Sequence, residues 1–255
     1  MERTGDERGL GRMRSLQQPN AGAWLCATPN PKTGMHLCSQ DFVLCLKYRR
    51  GVPIFNEGTI CKGCNKDVDI LGEHAMNCRC GSGRYRRHDA IRDIIADAAR
   101  AASLSPRVEA RGLVEGSQQR PGDVLIPGYP LGRDLILDIT IINPLQKSAW
   151  PEAAFMAGVA MERAKEKKRE TYSGKLRPNQ IFKPLAFETL GGFDRDSALL
   201  VKRISSITAR NQGKQESEVQ KLLVRRIAMS IQRFNAVCFV DRVDPVMAEE
   251  PDLQE

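Results

Sequence analysis

Two aspartates lie within apolar segments of the sequence, and they restrict how this chain can fold. Residues 120–144 contain two short apolar runs, which read as β-strands joined by a turn at 128–132. Asp123 begins the first run and Asp138 lies inside the second. An ionised carboxylate in a core is unfavourable unless it is paired or bound to a metal. We therefore expect the two aspartates to lie side by side on adjacent strands and to hold a divalent metal ion. The alternative is that Asp138 faces solvent on a half-exposed strand.

The composition is that of a globular protein. A chain of 255 residues can form one large domain or two smaller ones, and 41% hydrophobic with 27% charged residues is ordinary for such domains. No apolar run approaches the roughly 18 residues needed to cross a membrane. The polar first residues lack the apolar core of a signal peptide. The sequence predicts an intracellular protein, nuclear or cytoplasmic, without membrane contact.

The charge is distributed unevenly along the chain. The net charge is +8, yet residues 241–255 contain three Asp, three Glu and one Arg and sum to −5, so the preceding 240 residues carry +13. A body with this excess of cations favours a polyanionic partner. We expect that partner to be DNA or RNA.

Four of the eight cysteines crowd into residues 61–80, which is typical of a metal site in a reducing compartment. Cys61, Cys64, His74 and Cys78 have the spacing C-x2-C-x9-H-x3-C. Two cysteines separated by two residues direct both thiolates at one ion, and the His/Cys pair supplies the other corners of a tetrahedron. Zinc suits these ligands, and four protein ligands make the ion structural. Cys80 is an alternative to Cys78 as the fourth ligand.

A helix is predicted at 84–103, with an unusual density of cations in its first turns. Its apolar stripe consists of Ile91, Ile94, Ile95, Ala98 and Ala102. Arg84, Arg86 and Arg87 oppose the helix macrodipole at that end, so we expect them to contact phosphate. A solvated basic face is the alternative. His88 is predicted to be a phosphate contact or a structural residue, because its neighbour Asp89 does not share its helix face.

The other elements follow from periodicity and turn residues. They are helices at 39–50, 151–171, 194–210 and 216–240, a strand at 107–111 containing Glu109, and a strand at 181–187 broken by Pro184. Lys165, Lys168 and Tyr172 share one face of the helix at 151–171. Residues 1–20 are expected to be a disordered lead-in and residues 241–255 a loose acidic tail.

From residue 84 onward the order is helix, three strands, helix and strand, which predicts an α/β fold with a small mixed sheet flanked by helices. This order resembles the αβββαβ core of the PD-(D/E)XK, or restriction-endonuclease-like, superfamily. The resemblance implies that Glu109, Asp123 and Asp138 are the acids of a catalytic Mg²⁺ site. No phosphate-binding glycine loop and no serine-hydrolase elbow occurs in the sequence.

The chain departs from the superfamily pattern at two positions. Gly122 separates Pro121 from Asp123, and Thr140 stands where a lysine is usual. Some members take that lysine from the following helix. The resemblance then implies that Lys165 supplies the amine, with Lys168 in reserve and as a nucleic-acid contact.

The order of motifs narrows the resemblance. A zinc knuckle, the triplet Arg87-His88-Asp89, two spaced acids and a Lys-rich helix ending in Tyr172 are similar to the C-terminal end of site-specific non-LTR retrotransposon polyproteins. In those reverse transcriptase proteins a restriction-like endonuclease nicks the target DNA. The resemblance implies a helical segment with a zinc knuckle at 21–83 and a nuclease domain with a C-terminal helical pair at 84–240. Two alternatives stay open, namely a nucleic-acid-binding protein whose nuclease core is inactive and a protein-interaction module.

Overall fold

The computed structural model describes residues 6–114 and 120–242, and these residues form helices around a small sheet. The helices are α1 (Glu7–Leu16), α2 (Ser39–Arg50), α3 (Glu73–Asn77), α4 (Gly83–Ala101), α5 (Trp150–Phe155), α6 (Val159–Tyr172), α7 (Arg195–Gln212) and α8 (Glu216–Val240). The strands are β1 (Arg107–Val108), β2 (Val124–Ile126), β3 (Asp134–Ile142) and β4 (Gln180–Glu188). None of the helices in the described ranges is long and apolar enough to span a bilayer.

The four strands form one mixed sheet in the order β1-β2-β3-β4. The pairs β1/β2 and β2/β3 are antiparallel, whereas β3 and β4 are parallel along their whole length. A parallel pair needs a crossover connection, and α5 with α6 provides it. The prediction of an α/β protein with a small mixed sheet and helices is confirmed.

Alternation along β3 separates the core from a polar face. Leu135, Leu137 and Ile139 are buried in the main hydrophobic cluster with residues of α4, α7 and α8. Ile136 lies in a separate small cluster on the other face of the sheet. Side chains two residues apart in a strand share a face, so Asp138 lies on the side of Ile136. The buried residues of β3 therefore hold the strand in the main core, while Asp138 lies on the opposite face of the sheet.

The prediction that residues 1–20 are disordered is wrong for the residues that the structure describes, because α1 occupies 7–16. Asp6 caps this helix by accepting a hydrogen bond from the Gly9 amide at 2.7 Å. Arg12 is 7% exposed and donates to the Tyr48 carbonyl, and Arg8 pairs with Glu73 at 2.6 Å. The helix is held by polar tertiary contacts, which low apolar content does not reveal. Residues 1–5 lie outside the described ranges.

Three elements differ from their predicted form for local reasons. The helix predicted at 151–171 is two helices, because Gly158 adopts φ 78°. The strand predicted at 107–111 ends at Val108, because Glu109 adopts φ 54°. Strand β4 continues through Pro184, because β4 is an edge strand and proline is tolerated there.

The N-terminal segment does not form a core of its own. One cluster joins Tyr48 and Phe55 to Met76 and to Phe239 of α8, and it includes the zinc-motif residue Cys61. Another cluster joins Trp24 and Cys45 of the N-terminal segment to α8. Hydrophobic contacts therefore cross the boundary predicted between residues 83 and 84. Helix α2 has the predicted bounds, and its buried residues are Leu44, Cys45 and Tyr48.

Glu188 at the end of β4 makes the stability of this fold depend on pH. Its side chain is 1% exposed, and burial raises its pKa from 4.5 to about 7. A carboxyl group with a raised folded-state pKa contributes full stability below the unfolded pKa and loses it as pH rises through the folded pKa. The loss therefore falls between about pH 4.5 and pH 7.

Glu188→Gln is expected to raise the free energy of unfolding by about 1–3 kcal/mol at about pH 8, because the buried charge is removed. At about pH 4.5 the variant and the wild type should be nearly equal. Urea unfolding at both pH values measures the difference, with the exposed Glu57→Gln as the matched control. A gain of the same size at both pH values would contradict this origin.

Candidate functional site

The structure brings the two predicted aspartates together, with Asp138 on β3 and Asp123 immediately before β2. The β2/β3 register pairs Val124 with Leu137, so Asp123 and Asp138 each lie one residue beyond that pair. The Asp123 amide donates to the Leu137 carbonyl at 2.7 Å, and the Ile139 amide donates to Asp123 Oδ2 at 2.6 Å. Asp138 is only 5% exposed, which rules out the alternative of a solvent-facing residue.

Gly122 has a steric role in placing Asp123. A Cβ at this position would lie 2.5 Å from Ile136 Cγ2 and 2.7 Å from the Leu137 carbonyl oxygen. Only glycine allows the backbone to approach β3 this closely. Gly122, which interrupts the Pro-Asp pattern, is therefore needed for the close packing of this segment against β3.

His88 reaches the acid pair from the second turn of α4. Its Nε2 lies 3.2 Å from Asp123 Oδ2, and its Nδ1 lies 3.3 Å from Asp89 Oδ1. Burial lowers the pKa of His88, but the hydrogen bonds and charges of Asp123 and Asp89 outweigh burial and raise it to about 9. The ring is therefore an imidazolium at neutral pH. Its contact with Asp123 was not predicted, because it depends on how α4 packs beside β2.

Lys168 on α6 covers Asp138 from the other side. Its Nζ lies 3.1 Å from both carboxylate oxygens and donates a hydrogen bond to Oδ1. Among the described residues, buried Oδ2 has no hydrogen-bond partner. Burial raises the pKa of Asp138, while Lys168 lowers it and the charge of Asp123 raises it further. The reserve lysine is therefore the one that the structure places at the site.

The prediction that Lys165 serves the acid pair is wrong. Its side chain is 2% exposed, and its Nζ lies 2.7 Å from Asp194 Oδ1 and 2.7 Å from Asp196 Oδ2. Glu162 is a third partner at 2.9 Å. Asp194 also caps α7, so Lys165 fastens α6 to the start of α7. Positions three residues apart differ by about 60° around a helix, and this rotation separates the partners of Lys165 from those of Lys168.

Substitution of Lys165 should therefore lower the free energy of unfolding more than substitution of Lys168. Lys165→Met is expected to lower the free energy of unfolding by about 3–5 kcal/mol, because it leaves buried Asp194 without its cation. Lys168→Met should cost less, about 1–2 kcal/mol, because Lys168 is partly exposed and because Asp138, whose pKa burial already raises, can take up a proton when its cation is lost. Urea unfolding compares both with Lys167→Met, an exposed position on the same helix. Strong destabilisation by Lys168→Met alone would contradict the assignment.

Glu109, predicted as the first acid of the site, is held elsewhere. Its amide donates to the Asp123 carbonyl at 2.9 Å, so its backbone is adjacent to the site. Its side chain pairs with Arg92 at 3.0 Å and with Arg120. Both carboxylate oxygens are thus taken by guanidinium groups. The structure does not bring Glu109 together with Asp138 as a free ligand.

The three arginines at the start of α4 divide into two roles. Arg84 and Arg86 are exposed, with Arg84 donating to the Asn77 carbonyl and Arg86 lying over the Phe234 ring at 5.2 Å. Arg87 is 3% exposed and donates to Asn235 Oδ1 at 2.5 Å. The prediction that Arg87 contacts nucleic acid is therefore wrong, since it ties α4 to α8.

The predicted zinc ligands form a cluster that could hold a metal ion such as zinc. The ligand atoms of Cys61, Cys64, His74 and Cys78 all lie within 4.8 Å of one another. The Cys61–Cys78 and Cys64–Cys78 sulfur pairs are 4.0 and 3.8 Å apart, and Cys64 Sγ lies 3.3 Å from His74 Nε2. Zn–S bonds of about 2.3 Å in a tetrahedron place two sulfurs about 3.8 Å apart. The fourth member of this cluster is Cys78, whereas Cys80 is exposed and is not part of it.

Hydrogen bonds within the Cys/His cluster favour the thiolate form that a metal cation requires. Burial raises the pKa of Cys61, but amide groups of Gly63 and Cys64 and the ring of His74 lower it to about 6. A thiolate, not a thiol, is the ligand that a metal requires. His74 is positioned by the short helix α3, and its amide donates to Asp69 Oδ2 at 2.7 Å.

Arg242 belongs to this cluster region, although the sequence placed it in an acidic tail. Its side chain is 3% exposed, and its carbonyl accepts a hydrogen bond from the Lys62 amide at 2.8 Å. A Cβ on Gly63 would lie 2.8 Å from Arg242 Nη1, and one on Gly81 would lie 2.1 Å from Nη2. The two glycines therefore admit the guanidinium group. Residues 243–255 of the predicted tail lie outside the described ranges.

Comparison of the sequence with protein-family models and with curated proteins gives no match. The two sites themselves are therefore the basis for a function, and they support different chemistry. Three thiolates and an imidazole suit a borderline metal with no open position, whereas two carboxylates beside two cations suit a hard ion and an anionic substrate.

Proposed function

We propose that this protein is a metal-dependent endonuclease that hydrolyses DNA phosphodiester bonds. The observation that carries the proposal is that buried Asp138 on β3 lies beside Asp123, which immediately precedes β2, and that its ion-pair partner, Lys168, is partly exposed. A buried carboxylate is costly, and it is retained where it binds a metal or takes part in catalysis.

The arrangement of elements supports a restriction-endonuclease-like core. The acids lie on β2 and β3 or next to them, between helix α4 and the crossover helices. A Cys/His cluster precedes this unit in the chain. Both features support the proposal that the protein is the target-nicking part of a retrotransposon-type reverse transcriptase element.

The acid pair fits Mg²⁺. A small hard cation prefers carboxylate oxygens and usually takes only one or two from the protein, with water and substrate oxygens completing its shell. Asp138 Oδ2 and the Asp123 carboxylate would be those ligands. Bound there, Mg²⁺ supplies Lewis acidity toward a water molecule and toward a phosphate oxygen.

The protein's own residues preorganise this chemistry. The Ile139 amide and the His88 imidazolium both hold Asp123 Oδ2, so this carboxylate is fixed before substrate binds. The Lys168 ammonium lies next to Asp138 and is partly exposed, which suits it to stabilise negative charge that develops on the phosphate. Exposed Arg84 and Arg86 would hold the DNA backbone, so binding should weaken steeply with salt.

We also propose that the Cys/His cluster binds zinc in a structural role. Cys61 is fully buried in the cluster that joins α2, α3 and α8. All four corners of the tetrahedron are protein ligands, which leaves no position for substrate. The ion would thus stabilise the module that packs beside the nuclease core.

Nicking of supercoiled plasmid tests the proposed activity. The purified wild-type protein should convert supercoiled DNA to open circles when Mg²⁺ is added and should not do so with Ca²⁺ in its place. Calcium, which takes six to eight oxygen ligands, controls for charge screening without the octahedral geometry of Mg²⁺. DNA binding measured in parallel shows that the protein is functional. Equal nicking with either ion, or none with either, would contradict the proposal.

One observation favours a second candidate, a nucleic-acid-binding protein with an inactive core. Each acid already has a cation partner without a metal, since Asp123 contacts His88 and Asp138 contacts Lys168. Thr140 also stands where the superfamily has its lysine. DNA binding that persists at low salt without any Mg²⁺-dependent nicking is the result that this candidate predicts.

A further inference from the structure

A small cavity of about 320 Å³ lies at the C-terminal end of α6 and has an aromatic wall. Its lining includes Tyr172, Phe182, Leu176, Pro178, Arg169 and Arg177. The volume is at the lower end of the range for ligand pockets. The Tyr172 and Phe182 rings are 5.0 Å apart and inclined at 53°, so they form a wedge instead of a closed stack.

Three independent links place this cavity beside the acid pair. Tyr172 follows Lys168 by four residues, so the two share one helix face. The Tyr172 hydroxyl lies 3.4 Å from the carbonyl of Arg120, close in sequence to Asp123. Phe182 pairs in register with Ile136, which lies on the same face of β3 as Asp138 and about 6.6 Å from it.

The cavity joins an apolar surface to cationic groups at its rim. Arg177 is exposed and has no ion pair within the part of the chain that the structure describes, although it donates to the Gly112 carbonyl at 3.4 Å. Arg169 pairs with Glu166 and with Asp196. Aromatic rings beside arginine suit a planar base attached to a phosphate backbone.

We propose that this cavity binds an unpaired nucleobase next to the scissile phosphate, so the substrate is DNA that carries an unstacked nucleotide at the cut. The inference rests on the proposed nuclease function. Lys168 and Tyr172 are about one helical turn, 5.4 Å, apart along α6. A nucleotide whose phosphate lies at Lys168 is therefore within reach of the Tyr172 and Phe182 rings. Its base can stack on these rings only if it leaves its neighbouring bases, which otherwise cover its faces.

A double-mutant cycle tests this contact by combining removal of the Tyr172 ring from the protein with removal of one base from the DNA. Binding is measured without added Mg²⁺, so that no DNA is cut, on a duplex with a single-stranded extension. An abasic site is moved one nucleotide at a time across the junction. The protein variants are Tyr172→Leu, which keeps apolar bulk, and Tyr172→Phe, which keeps the ring. Phe155→Leu, an exposed aromatic on α5, is the matched control.

The wild type, Tyr172→Phe and Phe155→Leu should lose about tenfold in affinity when the base is missing at one position, which is within the range of base–aromatic stacking. Tyr172→Leu should bind the intact and that abasic DNA equally, because the two losses are one contact. A merely structural role would give no such coupling. An abasic effect that is the same in Tyr172→Leu, or absent in the wild type, would overturn the inference while leaving the nuclease proposal standing. Failure of the wild type to bind any of the DNAs would overturn both.

Discussion

Asp138→Asn is expected to lower Mg²⁺-dependent plasmid nicking by roughly 100-fold or more. The substitution keeps the shape of the side chain but removes the charge and one of the two oxygens offered to the metal. It should not unfold the protein, because burial already raises the pKa of Asp138 and makes its ionised form costly. The rate of open-circle formation under conditions that bind all of the plasmid measures the effect. Asp123→Asn should cause a loss of similar size.

The matched control for this experiment is Asp134→Asn. Asp134 begins the same strand and accepts a hydrogen bond from the Gly128 amide at 3.0 Å, in the turn before β3. The control should nick at the wild-type rate within about threefold. Wild-type nicking by Asp138→Asn would show that the acid pair is not the catalytic site.

Cys61→Ser should reduce the zinc content of the purified protein from about one equivalent to less than half and should lower its thermal stability strongly. The binding free energy of structural zinc contributes directly to folding, with apparent values of about 10–16 kcal/mol in zinc-finger peptides. Cys61 is fully buried among residues that join α2 and α3 to α8, so the loss should reach beyond the knuckle. Metal analysis and thermal unfolding of the same preparation measure both effects.

Cys80→Ser is the control for the zinc experiment. Cys80 is exposed and lies two residues after Cys78, the last member of the proposed zinc site. Its zinc content and melting temperature should equal those of the wild type. If Cys61→Ser retained a full equivalent of zinc, or if Cys80→Ser lost it, the assignment of the four ligands would be wrong.

Local sequence signals predicted the parts of the structure that local physics determines. The apolar stripe of α4 is buried as its 3.6-residue period requires, with Ile91 and Ile95 in the main core. The spacing of the cysteines and the histidine identified four side chains that do converge. Asp138 drew attention because a carboxylate in an apolar strand needs a partner. These inferences needed no knowledge of distant contacts.

The errors share a different cause, which is the identity of a distant partner. Lys165 and Lys168 lie on one helix. Only the position of Asp194, which caps α7, shows that Lys165 is the one that forms a structural ion pair. Arg87 and Arg86 are neighbours, yet Asn235, 148 residues away from Arg87 in the chain, removes Arg87 from the surface. No periodicity encodes such pairings.

Polar tertiary contacts also explain why the order of the N-terminal segment was missed. Helix α1 has little apolar content, and its attachment depends on Arg12 reaching the Tyr48 carbonyl and on Arg8 reaching Glu73. Composition predicts disorder for such a segment, because it estimates only how much apolar surface can be buried. Asp6, which caps α1, is a local signal that could have indicated the start of this helix.

Binding of Mn²⁺ to the zinc-loaded protein, followed by the electron paramagnetic resonance of free Mn²⁺, tests the central claim without relying on cleavage. Mn²⁺ prefers the same carboxylate and water ligands as Mg²⁺ and can report on its site. The wild type should bind about one Mn²⁺ that Mg²⁺ displaces, and Asp138→Asn should lose that ion while Asp134→Asn keeps it. Equal Mn²⁺ binding by the wild type and Asp138→Asn, or no binding by the wild type, would contradict a metal site at Asp123 and Asp138.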